Sequence, residues 1–274
     1  MKDNIDILEL AQLESEERRK RIFDINEYWA YKLFAEERQN IVDFFPIKQS
    51  DNVLEINSEC GVVTSKLAEK CGMVTSVEVD EVYCDAAKAL NRHFSNINFE
   101  NTDVESYIAE CQEKFDFIFI INRLYEIVNN DLIEKILNLL SESGKMIIAT
   151  DNKLGMKYWA GCQESLNGGF FVGIENYQLL NTDKRLYSKK EIDRFLKKSG
   201  VQNYTFFYPY PDYKFPVSIF SDKRLPGIGE LDNNIRDFEG DRYLLFDEKK
   251  VFDTIIDEEI FPIYSNSYLV VIDR

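Results

Sequence analysis

The sequence has little of what metal sites and disulfide frameworks require. It contains one histidine, His93, and five cysteines that form no C-x-x-C pair. Structural zinc sites take several cysteine and histidine ligands at short spacings, so we expect no metal site. The odd number of cysteines favours a reducing compartment, and the charged N-terminal residues lack the apolar segment of a secretory signal. We therefore expect a cytoplasmic protein.

Basic residues and long apolar runs are also scarce. There are 33 Lys and Arg residues against 49 Asp and Glu, which gives a formal charge of −16. A negative field of this size repels phosphate backbones and anionic lipid surfaces, so we expect neither nucleic acid nor a membrane surface as a partner. No apolar run is long enough to span a bilayer. Neither a G-x-S-x-G nor a P-loop motif is present, which argues against a serine hydrolase and an NTPase.

The middle of the chain alternates apolar segments with amphipathic ones. One or two amphipathic helices over residues 14–45 end at Pro46. The pattern then predicts strands at 52–56, 73–79, 97–101, 115–121 and 145–150, and helices at 62–71, 81–94 and 131–144. Strands that alternate with helices through short links indicate a parallel sheet with right-handed crossovers. The predicted fold class is α/β, a Rossmann-like sheet with helices on both faces.

The second half continues the pattern with longer connections. Ser188 and Glu191 form a capping box that opens a helix over 188–200, and strands follow at 204–210 and 267–273. The 211–265 segment between these strands is too long for a hairpin loop. We predict an N-terminal helical segment at 1–46 and a Rossmann-like domain at 47–274. Two insertions on the substrate side of this domain are expected at 151–187 and 211–265. Within the first insertion, 168–177 is interpreted as a mobile lid.

Acidic residues stand at the ends of three successive predicted strands. Glu55 ends the first, Glu78 ends the second and Asp103 follows the third. In an open α/β sheet ligands bind at these carboxyl ends, and an acidic residue about 20 residues after the first strand typically accepts hydrogen bonds from ribose. The arrangement favours a nucleotide site; ordinary strand-terminal polar residues are the alternative.

Five segments together resemble the motif series of class I S-adenosylmethionine-dependent methyltransferases. They are VLEINSECGVVTSKLAEK (53–70), VTSVEVD (74–80), NTD (101–103), FDFIFI (115–120) and GKMIIAT (144–150). The resemblance implies a seven-stranded, mostly parallel sheet with an antiparallel last strand, and S-adenosylmethionine as cofactor. It implies cofactor binding by Glu55, Asn57, Ser58, Gly61, Glu78, Val79, Asp103, Val104 and Asn122.

The loop after the first strand departs from the family pattern. Methyltransferases of this class read E/D-x-G-x-G-x-G, and this chain has Asn57, Glu59 and Gly61 at the glycine places. Asn visits positive φ more readily than most residues, whereas a Glu side chain there costs about 1–2 kcal/mol. The charge of Glu59 would repel the carboxylate of the cofactor and attract its ammonium and sulfonium groups. Cofactor affinity is therefore open at this point.

A narrower resemblance covers the second half of the chain. The segments 151–162, 207–216, 218–231 and 261–271 resemble a group of bacterial methyltransferase-like proteins. In that group the domain often stands beside, or is fused to, glycosyltransferases for surface polysaccharides. The resemblance implies a glycan acceptor and glycosyltransferases as partners.

Methyl transfer is an in-line displacement in which positioning supplies much of the rate, and a hydroxyl acceptor also needs a base. His93 lies late in a helix, far from the strand ends, and is interpreted as a surface or packing residue. Better catalytic candidates follow the fifth and sixth strands: Asp151, Asn152, Lys157, Tyr210, Asp212 and Tyr213. The PYPDY segment (209–213) suits a sugar ring, which stacks on aromatic faces and binds a carboxylate. A rigid corner packed against the insertion is equally compatible with it.

Two function classes follow from these patterns. The first is a methyltransferase that acts on a hydroxyl or similar group of a glycan or small molecule. The second is a non-catalytic member of the same fold that serves as a partner or scaffold in glycan assembly. The Asn57 and Glu59 positions distinguish the two, because they decide whether the loop still binds cofactor.

Overall fold

The computed structural model describes residues 2–129, 131–232 and 242–274, with side chains from residue 7 onward. The strands are β1 Asn52–Ile56, β2 Met73–Val77, β3 Ile97–Glu100, β4 Phe115–Ile121, β5 Leu140–Asp151, β6 Tyr204–Tyr210, β7 Ser218–Ser221 and β8 Ser267–Asp273. The helices are α1 Lys2–Gln12, α2 Ser15–Ile25, α3 Tyr28–Phe34, α4 Asn40–Asp43, α5 Val62–Lys70, α6 Glu81–Leu90, α7 Val104–Glu110, α8 Leu124–Asn129, α9 Ile133–Leu137, α10 Met156–Trp159, α11 Lys189–Lys198, α12 Glu248–Asp257 and α13 Phe261–Tyr264, with a 3-10 turn at Glu36–Gln39.

The strands form one mixed sheet in the order β3-β2-β1-β4-β5-β8-β6-β7. The first three pairings, β1 with β2, β1 with β4 and β2 with β3, are parallel. The last strand, β8, is antiparallel to its neighbour β6. These features confirm the α/β prediction. Among the described residues the expected seven strands are eight, because the insertion predicted at 211–265 contributes β7, which pairs with β6 as an antiparallel edge.

The chain divides into two compact units. The first comprises Met1–Ile121, Glu134–Ile147 and Asp273–Arg274; the second comprises Asn122–Ile133 and Ile148–Ile272. Within the described ranges, none of the helices combines the length and the apolar character that crossing a membrane requires.

In the first unit, the N-terminal helices pack on α6 and on the loop after β1. Their apolar side chains, among them Leu10 and Phe34, share a buried cluster with Cys60 of that loop, Val62 at the start of α5 and Leu90 of α6. The one or two amphipathic helices expected over 14–45 are several short ones, because the chain leaves the helical conformation at residues 26–27 and again at Ala35. The N-terminal segment is therefore part of the core around the loop.

The predicted boundary between the helix at 131–144 and the strand at 145–150 is wrong. The helix expected over 131–144 ends at Leu137, and β5 begins at Leu140. Residues 139–144 lie against strand and terminal backbone instead: Leu139 O accepts from Phe115 N, and Gly144 O accepts from Arg274 N. Pairing with segments distant in sequence overrides the local helical pattern.

The second unit has an aromatic core around β6. Tyr208 packs edge-on against Tyr268 of β8 and Phe261 of α13. Helix α11 begins with the capping box predicted at Ser188 and Glu191, in which each side chain bonds the backbone N–H of the other. Helix α11 therefore begins where the capping box predicts it, and β6 has the predicted bounds.

Candidate cofactor loop and buried charge cluster

The loop between β1 and α5 keeps the backbone of a glycine-rich loop although it has one glycine. The φ angles at Asn57, Glu59 and Gly61 are +62°, +49° and +78°. All three places that hold glycine in the methyltransferase pattern are therefore left-handed here. A side chain at such a φ costs about 1–2 kcal/mol, least for Asn, so Glu59 is the strained position.

Hydrogen bonds to β2 hold the first part of this loop. The N–H groups of Asn57 and Ser58 donate to Val77 O at 3.0 and 3.4 Å. Ser76 Oγ lies 2.8 Å from Ser58 Oγ. The loop therefore continues the pairing of β1 with β2 past the end of β1.

Gly61 allows α5 and α6 to approach each other closely. A Cβ placed at Gly61 would lie 2.7 Å from Asn91 Nδ2 and 2.8 Å from Ala87 Cβ. Asn91 Nδ2 donates to Gly61 O at 3.0 Å, and Ser65 Oγ donates to Asn91 Oδ1. This glycine is required both by its φ and by the space that it leaves.

The Glu59 side chain pairs with the N-terminal segment. Its Oε2 lies 2.5 Å from a guanidinium nitrogen of Arg38, and its Oε1 lies 3.8 Å from Lys32 Nζ. The Arg38 and Glu59 side chains are 7% and 10% exposed, so this is a buried ion pair. The sequence left undecided how the charge of Glu59 affects the cofactor. In the structure this charge is balanced by Arg38 and Lys32.

Glu78 closes β2 beside the loop, as predicted. Its Oε2 accepts from Glu59 N and its Oε1 accepts from Asp80 N, both at 2.9 Å. The residue is 2% exposed. A role in ribose binding stays a prediction.

Two polar atoms at the start of the loop are buried and have no hydrogen-bond partner among the described residues. They are Glu55 Oε1 and Asn57 Nδ2. The other Glu55 oxygen accepts from Thr64 Oγ1 at 2.5 Å. Burial raises the pKa of Glu55 to about 8, against the smaller lowering effects of Thr64 and Arg38. A buried acceptor and a buried donor without partners among the described residues fit a zwitterionic group such as an amino acid.

The remaining predicted cofactor residues are in varied positions. Asp103 caps α7: its carboxylate accepts from Ser106 N and Oγ, and these bonds lower its pKa. Val79 is exposed and Val104 is buried. Asn122 belongs to the second unit, where its backbone is left-handed and its N–H donates to Ala149 O. For these four residues, cofactor binding stays a prediction.

In the second unit, three predicted catalytic residues meet in a buried charge cluster. The cluster comprises Asp151, Lys157, Asp212 and Lys214, each less than 10% exposed. Lys157 Nζ lies 2.7 Å from Asp151 Oδ1 and 3.3 Å from Asp212 Oδ2. Lys214 Nζ lies 3.0 Å from Asp151 Oδ2 and 3.3 Å from Asp212 Oδ2. Two ammonium groups thus alternate with two carboxylates, and their formal charges cancel.

The charge cluster joins three segments of the second unit: the end of β5, helix α10 and the turn after β6. Ser165 Oγ adds a bond to Asp151 Oδ2 at 3.0 Å. Lys214 was missed by the sequence analysis; its place two residues after Asp212 in PDYKFP was the available signal. Arg38 was missed because it lies among the charged residues of the 14–45 segment, where no motif marks it.

The other predicted catalytic residues contact backbone or aromatic groups. Asn152 Nδ2 donates to Ile263 O and Ser265 O at 2.7 Å, and its Oδ1 accepts from Leu154 N. Tyr210 Oη donates to Leu231 O at 2.6 Å. Tyr213 is buried, with its ring 4.8 Å from Lys214 Nζ. These contacts suit the rigid-corner alternative, and catalytic roles for the three residues stay predictions.

Sheet order, left-handed loop and acidic strand ends together define a Rossmann-like nucleotide-binding protein of the class I methyltransferase type. The family model described as Nodulation protein S (NodS) matches residues 12–166. This match covers more than half of the 274 residues, and the chain belongs to that family, a family of class I S-adenosylmethionine-dependent methyltransferases. The membership confirms S-adenosylmethionine as the cofactor of the class.

The chain is similar to three known proteins, two of them solved structures, and it spans about a fifth of the length of the Arabidopsis thaliana relative. Phosphoethanolamine N-methyltransferase 3 of Arabidopsis thaliana is 34% identical over 91 residues, which are 33% of this chain and 19% of that protein. A chain from the complex of the Haloferax volcanii Trm112 methyltransferase activator with a methyltransferase shares the fold, with a TM-score of 0.52, 12% identity and coverage of 90% and 92% of the two chains. N-methyltransferase NodS from Bradyrhizobium japonicum, solved with S-adenosylhomocysteine, is 22% identical over 46% of this chain and 67% of its own, with a TM-score of 0.38.

Proposed function

We propose that this protein binds S-adenosylmethionine and transfers its methyl group to a hydroxyl or similar nucleophilic group of a glycan or small molecule. The observation that carries the proposal is the left-handed backbone at Asn57, Glu59 and Gly61. Glu59 keeps a strained left-handed φ, and this is the conformation with which this fold brings its backbone close to the cofactor.

The residues around the loop fit the cofactor. Glu55 Oε1 and Asn57 Nδ2 are a buried acceptor and donor without partners among the described residues, which suits the ammonium and carboxylate of the methionine part. Ser58 and Gly61 would line the same part. Glu78 would accept from the ribose hydroxyls, and Val79, Asp103 and Val104 would lie toward the adenine. When bound, S-adenosylmethionine supplies an electrophilic methyl group on a sulfonium sulfur.

An amine is one candidate for the accepting group. The Arabidopsis thaliana relative is named an N-methyltransferase, and a neutral amine attacks a sulfonium methyl without a strong base. This requirement suits a site whose buried lysines and aspartates already neutralise one another. The glycan class of the acceptor and a glycosyltransferase partner rest on the sequence resemblance of 207–216, 218–231 and 261–271. In this proposal the charge cluster holds the end of β5, helix α10 and the turn after β6 in place on the acceptor side.

The second candidate function is a non-catalytic partner or scaffold in glycan assembly. The observation that favours it is the state of Glu78, which is 2% exposed and accepts from two backbone N–H groups. In this alternative the carboxylate serves only to hold the loop against the start of α6, and ribose never reaches it.

Calorimetry with S-adenosylmethionine and S-adenosylhomocysteine separates the two candidates. Binding in the micromolar range supports the methyltransferase, whereas no heat at millimolar ligand supports the scaffold. Glu78→Gln is expected to weaken binding at least tenfold, because it removes the charge that ribose hydroxyls bind. Glu100→Gln, at the end of the adjacent strand β3, is the matched control and should bind like the wild type. Equal affinity of the Glu78→Gln variant would exclude Glu78 from the site.

A further inference from the structure

One buried ion pair connects the N-terminal segment to the candidate cofactor loop. Arg38, in the 3-10 turn Glu36–Gln39, lies 2.5 Å from Glu59 Oε2. Both side chains are at most 10% exposed, so neither charge has bulk water as an alternative partner. The next residue, Gln39, donates to Val62 O at 3.1 Å, at the start of α5. The turn is therefore docked on both sides of the loop's end.

Glu59 is held at its backbone and at its carboxylate. Its N–H donates to Glu78 Oε2 at 2.9 Å, and its side chain pairs with Arg38 and, at 3.8 Å, with Lys32. Rotating φ from +49° to the ordinary negative range would displace either the N–H or the carboxylate from its partner. The two contacts together explain how a side chain is retained at a left-handed position.

Arg38 is itself fixed in place. One guanidinium nitrogen donates to Lys32 O at 2.5 Å while another contacts Glu59. The guanidinium thus contacts both the backbone of α3 and the carboxylate of Glu59, through two different nitrogens.

We propose that Arg38 is a positioning residue of the cofactor loop and acts through Glu59. Its ion pair holds the second loop position left-handed, the conformation that glycine supplies in the E/D-x-G-x-G-x-G pattern. In this chain, cofactor affinity therefore depends on the N-terminal segment. The part of this inference that concerns affinity rests on the proposed function; the part that concerns backbone conformation does not.

Two charge-balanced double variants test the proposal. Arg38→Met/Glu59→Gly removes the ion pair and the strained side chain, whereas Arg38→Met/Glu59→Gln removes the ion pair and keeps a side chain at the left-handed position. S-adenosylhomocysteine binding is measured by calorimetry. We expect the glycine variant to bind within threefold of the wild type and the glutamine variant at least tenfold more weakly. Arg38→Met alone should also bind at least tenfold more weakly.

Arg19→Met is the matched control, because Arg19 forms an exposed ion pair with Glu36 in the same N-terminal segment. It should leave affinity unchanged. Equal affinities of the two double variants, or wild-type affinity of Arg38→Met, would overturn the proposal.

If the wild type binds no S-adenosylhomocysteine, that result refutes the proposed function but not the role of Arg38 in the backbone conformation. Unfolding in urea then tests the role of Arg38. The glycine double variant is then expected to unfold at a higher urea concentration than the glutamine double variant, because only the latter retains strain. An equal or lower midpoint for the glycine variant would show that the ion pair does not serve the backbone.

Discussion

At the scale of single residues, Glu55 is a fully buried carboxyl group whose pKa is raised to about 8, chiefly by burial. Glu59 and Glu78 raise it further, while Thr64 and Arg38 lower it. In the unfolded chain a glutamate titrates near pH 4.3. Between these two pKa values, the folded state binds a proton that the unfolded state has lost.

The free energy of unfolding should therefore decrease as the pH rises from about 5 to 8, by at most about 1.4 kcal/mol per pH unit from this group. Glu55→Gln keeps an oxygen for Thr64 and cannot titrate, so its profile should be flatter over the same range. Urea unfolding of both proteins at four pH values checks this expectation. Parallel profiles would show that Glu55 is ionised in the folded protein.

Gly61 is the second residue whose environment makes a sharp prediction. Gly61→Ala adds a Cβ at φ +78°, within 3 Å of Asn91 and Ala87. Left-handed strain and overpacking together should lower the free energy of unfolding by about 2–4 kcal/mol. Gly200→Ala is the control: its φ is +77° but no atom lies within 4 Å, so only the strain of about 1–2 kcal/mol applies. Equal losses in urea unfolding would mean that α5 and α6 move apart at no cost.

At the scale of elements, the charge cluster of Asp151, Lys157, Asp212 and Lys214 holds together β5, α10 and the turn after β6. Lys214→Met leaves two buried carboxylates with one lysine, and should lower the free energy of unfolding by about 3–5 kcal/mol. Lys214→Met/Asp212→Asn restores the charge balance around Asp151 and Lys157, so the double variant should be more stable than the single one. Chemical denaturation measures both. A double variant less stable than Lys214→Met would show that Asp212 acts independently of charge.

Several elements were predictable because their signals are local. The short apolar segments of β1, β4, β6 and β8 predicted strands with the bounds that the structure has, and the capping box at Ser188 located the start of α11. The start of β5 was not predictable, since residues 139–144 are held by Phe115, Asp116 and Arg274, which are distant in sequence. Local helical preference loses to such pairing when backbone partners are available.

At the scale of the whole molecule, the charge of −16 determines which partners are attracted or repelled at long range. Polyanions are repelled at long range, so we expect no binding to an rRNA fragment at 150 mM salt. Fluorescence anisotropy with a labelled fragment tests this. A submicromolar dissociation constant that weakens as salt is raised would contradict the prediction and would point to a local basic surface.

At the candidate site, some features follow from the local sequence and others only from the tertiary structure. The succession of apolar and amphipathic segments by itself determined the α/β class and the acidic residues at the strand ends, because strand and helix periods are written in neighbouring residues. Whether a loop with one glycine keeps a glycine-loop backbone was decided only by tertiary structure. Glu59 stays left-handed because Arg38, 21 positions earlier, and Glu78, 19 positions later, bind its two ends. Contacts of that range depend on how the chain folds back on itself, and no local pattern encodes them.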